Sequence, residues 1–292
     1  MSSECEEMLS AYANAIPSIP KETARAASAI FGRGNFYIQV GENLDAILGE
    51  IRRNHSQARD RFSKVEGLSL GLITFFQFVE GLTDAQAGDA LRTRIDWKFA
   101  LHLSLLPKML DEKALCLFRV GILSDAVGQH EYQELINRLV SYAPSLNDRF
   151  QRLRSLELVS LVCSVNRLNQ VQQAMNRVLE ILAARFPQWL RTIALPHWYG
   201  RYNPAIGKFD GTILPGQQRF FMEEIGSDIQ HLLEKARQSG LREISELHEV
   251  RLLEQVWLQQ LQTLEPLQPD WLELLSHKDC ENCSQRGAGG SP

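Results

Sequence analysis

Eight apolar residues, Leu158, Leu161, Val165, Leu168, Val171, Met175, Val178 and Leu182, recur every three or four positions along one stretch. That period places them on a single stripe of a helix. Pro144 and Pro187 bracket the stretch, and Pro107 and Pro196 punctuate the chain on either side. Most of what lies between these prolines has the same helical spacing. Strand signal is confined to FYIQV, at 36–40, and to LELVSLV, at 156–162. The pattern predicts a mainly α protein.

Other stretches follow the same logic. Residues 16–20, with two prolines, read as an extended opening arm, followed by the helix-like KETARAASAIF, which stops at Gly32 and Gly34. A basic stretch then carries Arg52, Arg53, Arg59, Arg61 and Lys64. Residues 197–216 hold four glycines and two prolines and read as loop, with helices expected near 217–238 and 244–264. The small, polar tail from Lys278 reads as disordered. The resulting division is 1–67 for the arm and basic segment, 68–145 for a compact helical segment, 146–277 for long helices, and 278–292 for the tail.

The most informative segment is LSLGLITFFQFVEGLTDAQAGDALRTRIDWKFALHLSL. An apolar helix over Leu68–Val79 turns at Gly81 and restarts with Thr83 as N-cap and Gln86 three residues on, the signature of a capping box. Asp84 falls in the first turn, where a carboxylate favours the helix dipole. Ala85, Ala87 and Ala90 are small enough for close helix packing. Arg92 and Arg94 bracket a second break, and a short helix with Trp97 and Phe99 as anchors follows. Two short helices joined by a glycine turn, with arginines at the far end, fit a helix-turn-helix as well as an ordinary helical hairpin.

Charge decides little globally. The net charge is -4, but residues 1–67 hold 8 basic and 9 acidic groups, 68–155 hold 10 of each, and the rest holds 13 against 16. A near-neutral domain still binds DNA when its basic groups face one way, because phosphate contacts depend on local charge. The longest apolar stretch, Leu68–Val79, falls short of the ~20 residues a membrane helix needs, so no membrane partner is expected. The acidic start lacks the apolar core of a signal peptide. Five scattered cysteines, an odd number, suit reduced thiols in a cytoplasm. Cys280 and Cys283 form one lone C-x-x-C pair, too few ligands for zinc. The seven histidines show no metal spacing, and His197 beside Trp198-Tyr199 reads as part of a packed aromatic cluster. No phosphate-cradling loop or nucleophile elbow is present, so no cofactor is expected.

QFVEGLTDAQAGDALRTRIDWKFALHLSL closely resembles the InsH-type N-terminal domain of bacterial insertion-sequence transposases of the DDE class. The likeness extends in order through IPSIPKETARAASAIFGRGN, LFRVGIL, VNRLNQVQQAMNRVLEILAARFPQWL, WYGRYN, LPGQQRF, EEIGSDIQHLL and VRLLEQVWLQQ, roughly residues 16–275. The resemblance implies DNA strand transfer at transposon ends. The implied catalytic domain is an RNase H-like sheet whose two aspartates and one glutamate hold two divalent metals. Here the family's Asp-Ser-Thr-His falls on Arg154–Glu157, so a cation stands where the first aspartate belongs. The stretch that would supply the other two carboxylates is expected to lie beyond residue 292, so no catalytic or metal residues are assigned.

The expectation is therefore a transposase remnant that binds DNA but does not catalyse. It consists of a helical N-terminal domain with a helix-turn-helix-like segment and the helical insertion, with the RNase H-like sheet absent or vestigial. Gln86, Arg92, Arg94 and Lys98 are the candidate DNA contacts, with Arg52 and Arg53, and beyond them Arg59, Arg61 and Lys64, as a phosphate track. Alternatives are a helical interaction protein that associates with itself or with an intact transposase, or the first half of an enzyme completed by a second reading frame. Residues 156–165, a strand in the family pattern, are expected to be helical. The apolar face around Val159, Val162 and Val165 is expected either exposed or repacked into a long helix.

Overall fold

The structure, a computed structural model, describes residues 17–48, 65–107, 112–142, 153–202 and 215–263. The fold is mainly α, and among the described residues there is no strand. The chain divides into two compact units, 1–163 and 164–292. The basic stretch around Arg52 and Arg53 and the tail with Cys280 and Cys283 lie outside the described residues.

The first unit opens with α1 (Lys21–Ile30) and α2 (Phe36–Glu42). The FYIQV stretch is therefore helix, not strand. Asn35 caps it, its Oδ1 accepting from the backbone N–H groups of Tyr37 (2.9 Å) and Ile38 (3.2 Å). Tyr37, Val40, Leu44 and Ile47 then enter one core at helical spacing, so packing overrides the β preference of the local residues. α3 (Val65–Glu80) ends at Gly81, which takes φ 68° and lets Leu82 N–H reach back to Gln77 O at 2.9 Å.

α4 (Asp84–Thr93) carries the expected capping box, with Thr83 Oγ1 accepting from Gln86 N–H and Gln86 Oε1 accepting from Thr83 N–H. α5 (Ile95–Ala100) follows directly, with Trp97 and Phe99 buried as expected. Ala87 and Ala90 are buried too, whereas Ala85 faces solvent. α6 (Glu112–Ser124) and α7 (Ala126–Tyr142) complete the layer. Phe76, Trp97, Leu115, Ile122, Tyr132 and Leu135 are among the residues at the centre of this core. The boundary drawn at residue 67 separates no cores, because α2 packs with α3 and α5 in the same cluster.

α8 (Ser155–Arg185) is one helix of 31 residues, so 156–165 is helical. Leu158, Val159 and Val162 join the first core, and Leu168, Val171, Met175, Val178 and Leu182 join the second. Val159, Val162 and Val165 are all buried, which is the repacked outcome. The division between units thus falls inside α8, not near residue 145.

The second unit adds α9 (Pro187–Ile193), with proline at its first position, and α10 (Trp198–Tyr202). α11 (Pro215–Gln238), α12 (Arg242–Ser245) and α13 (His248–Thr263) follow; α11 matches the helix expected near 217–238, and the one expected near 244–264 is broken between α12 and α13. Gly226 lies where an added Cβ would strike the Trp257 ring, so the missing side chain is what lets α11 and α13 approach.

Candidate functional site

The four candidate DNA contacts on α4 and α5 divide sharply by what their polar atoms do. Lys98 is 4% exposed. Its Nζ donates to Arg92 O and Leu105 O, both at 2.7 Å, so the ammonium closes the carbonyl end of α4 from inside. Arg94 bonds Asp96 through two nitrogens, at 3.0 and 2.6 Å, and also pairs with Glu80. Its guanidinium lies over the rings of Tyr37 and Trp97, at 5.0 and 5.3 Å from their centroids. Burial disfavours the Arg94 charge, but the bonds and charges of Asp96 and Glu80 outweigh it and raise its pKa above the usual range.

Gln86 has its amide oxygen in the capping box. It therefore cannot present the oxygen and nitrogen pair that reads adenine while that box is closed. Arg92 alone keeps an exposed side chain, paired with Asp89 one turn away on the surface. Arg52 and Arg53 lie outside the described residues. Other exposed cations among the described residues of the first unit include Lys21 and Arg25 on α1 and Arg33 in the glycine-containing turn after it. α1 and α4 both pack on α5.

Two buried charge clusters were not legible as such. In the first unit, Arg119 is 3% exposed and holds Asp84 through both guanidinium ends, at 2.8 and 2.6 Å. Gln77 Nε2 donates to the same carboxylate at 2.8 Å. Asp84 thus does more than favour a helix dipole. It ties the start of α4 to α6 and α3. In the second unit Asp228, 2% exposed, accepts from His197 Nε2 at 2.9 Å, from Tyr202 OH at 2.8 Å and from Arg201, which also reaches Glu224 at 2.8 Å. Burial pushes the Asp228 carboxyl up, but these bonds outweigh it and hold it below the ordinary carboxylate range. Trp198 packs edge to face on Tyr202 at 6.3 Å, whereas Tyr199, expected in the aromatic cluster, is 75% exposed. His197 itself stays half-exposed at its rim.

Among the described residues, no group of three or more His, Cys, Asp or Glu side chains gathers as a metal site, and no helix is long and apolar enough to cross a membrane. Arg154 sits just before α8, exposed, and its backbone N–H donates to Glu157 Oε2 at 3.2 Å. Ser155 is buried, its hydroxyl on Gln129 O at 3.0 Å.

Set against protein-family models, curated proteins and solved structures, the chain matches none. The transposase likeness stands on the sequence motifs alone.

Proposed function

We propose that the chain is a transposase-derived DNA-binding protein that does not carry out strand transfer by itself. The observation that carries the reading is the ordered run of motifs from the opening arm to VRLLEQVWLQQ. The α3–Gly81–α4 unit, with its glycine C-cap and capping box, supports it as a helix-turn-helix. The divalent metals of the family do not fit the residues present. Arg154 is a permanent cation at the first ligand position, Ser155 is turned inward, and the Glu157 carboxylate caps its own helix. No step of metal-assisted chemistry is assigned.

The DNA contacts follow from side-chain availability. Arg94 and Lys98 hold the fold and reach DNA only if the fold opens. Arg92, with Lys21, Arg25 and Arg33, presents its charge outward, and Arg52 and Arg53 extend the candidate set by sequence. Fluorescence anisotropy with a duplex of the parent element's end, at low salt, tests this. The wild type is expected to bind, with affinity falling steeply as salt rises. Arg25→Ala, Arg33→Ala and Arg92→Ala together should weaken binding at least tenfold while leaving the fold intact. No binding by the wild type would end the DNA reading, and binding unchanged in the triple variant would remove this surface.

A further inference from the structure

α5 ends in a left-handed turn of the kind glycine usually makes. Leu103 N–H bonds Lys98 O at 2.8 Å and His102 N–H bonds Phe99 O at 3.2 Å, the paired bonds of a Schellman motif. His102 takes its left-handed position, with φ 54°, a conformation costly to any residue with a Cβ. Such an outlier persists where its surroundings hold it. The residue is 7% exposed, and both ring nitrogens are engaged. Nδ1 lies 2.6 Å from Pro17 O in the opening arm, and Nε2 lies 2.8 Å from Gly41 O in the last turn of α2. Carbonyl oxygens only accept. A neutral imidazole has one N–H and one lone pair, so it bonds one carbonyl and turns its lone pair on the other. Only the imidazolium donates to both.

We propose that His102 is a proton-dependent latch on the opening arm: charged, it ties the arm to α2 and α5, and on losing its proton it lets the arm go. Little else holds the arm. Ala27, Ile38 and Phe99 form a small buried cluster apart from the main core, with Ile19 of the arm packed on it. Thr23 Oγ1 adds one bond, to Leu103 O at 2.8 Å. A neutral His102 keeps its left-handed backbone with only one of the two bonds that compensate for it. The charged groups on the packing elements leave its proton to the two carbonyls. Lys21, Glu22 and Arg25 on α1, Glu42 on α2 and Asp45 just after it are exposed. On α4, Asp84 is bonded to Arg119 and Asp89 to Arg92. On α5, Asp96 holds Arg94, and Lys98 Nζ is bonded to two carbonyls. The arm from Pro17 to Pro20 has no charged side chain, and the C-terminal end of a helix such as α2 favours a cation. The latch is therefore shut at low pH and opens as pH rises. It is a property of the free protein and does not rest on the DNA reading.

Nuclear magnetic resonance of the full chain from about pH 5.5 to about pH 8.5, where histidines change charge, tests both halves. At the acid end His102 is expected to show N–H signals on both ring nitrogens, and to lose one as pH rises. Over the same step the amide protection factors of α1 should fall about tenfold or more, while those of α7, in the main core, stay level. His102→Gly suits the left-handed turn and removes both ring bonds. It should keep α5 and α7 protected, lower α1 protection at every pH and abolish the pH step. If α1 in the glycine variant stays as protected as in the wild type at the acid end, His102 is strained but holds nothing, and the latch is overturned. A pH step that survives in that variant belongs to another group and overturns it equally. One ring N–H across the whole range, or two across the whole range, overturns the proton dependence. Should the glycine variant not fold, the wild-type titration decides: ring and α1 changing at different pH values would sink the latch.

Discussion

Replacing Asp84 by Asn distinguishes two roles that the sequence leaves superimposed. As a first-turn carboxylate, Asp84 contributes only through the helix dipole, about 0.3–1 kcal/mol. In the structure it is the counter-charge of Arg119, which is 3% exposed and bonded to it at 2.8 and 2.6 Å. Burial disfavours the Arg119 charge, yet the bonds and charge of Asp84 raise its pKa above the usual range. A guanidinium cannot escape by losing its proton. Removing the carboxylate therefore strands a buried cation, a loss of about 3–5 kcal/mol. For a domain of this size about 2–4 °C accompanies each kcal/mol, so the expected fall in Tm is roughly 6–20 °C.

Thermal and urea unfolding of the full chain, followed by near-ultraviolet circular dichroism of the Trp97 environment, would measure it. Arg119→Met in the same chain should restore most of the loss, because the double variant buries no unpaired charge. A loss below about 1 kcal/mol for Asp84→Asn, or strictly additive effects in the double variant, would refute the buried-pair argument.

Two further outcomes follow from the geometry. Gly41→Ala should destabilise the first unit by about 1–3 kcal/mol, since a Cβ there would sit 2.6 Å from Phe99 Cδ1 and 2.7 Å from its backbone oxygen. Gly88→Ala, in open space within α4, should instead stabilise by about 0.4–1 kcal/mol, and urea titrations compare the two directly. Asp228 gives the second unit an acid dependence. Its folded pKa is depressed, so its contribution is complete above the unfolded carboxylate value of about 3.9 and is lost as pH falls through the folded value. Stability measured against pH should decline below about pH 5, and Asp228→Asn should flatten that decline. An equal slope in both proteins would disprove it.

Periodicity alone carried most of the fold. The α8 stripe, the Gly81 turn and the Thr83–Gln86 capping box are local signals, and each appears where the sequence puts it. FYIQV misled because a window of five residues suits either period. The wider spacing of Tyr37, Val40, Leu44 and Ile47, together with Asn35 as an N-cap, was the better guide. The unit boundary inside α8 has no local mark, because the stripe is continuous and only the two cores it feeds are different. The ion pair between Arg119 and Asp84 spans 35 residues and the cluster at Asp228 spans up to 31. Such pairings are set by helix packing, and no spacing rule within one element reveals them.

The candidate DNA residues differ in availability for a reason visible in their neighbours. Arg94 is followed two residues later by Asp96, and Glu80 stands just before the Gly81 turn that folds α3 back toward it. A guanidinium flanked by two carboxylates that a tight turn brings together will neutralise them before it meets a phosphate. Lys98 lies among Trp97, Phe99 and Ala100 on a helix whose residues 96–100 are all buried, so its ammonium is satisfied by backbone carbonyls or not at all. Arg92 has only Asp89, one turn away and equally exposed, and surface pairs of that kind are worth about 0–1 kcal/mol. Phosphate can displace so weak a partner. An arginine near a helix end is thus a DNA candidate in proportion to how poorly the fold has already paired it, which leaves Arg92, and not Arg94 or Lys98, for the proposed interface.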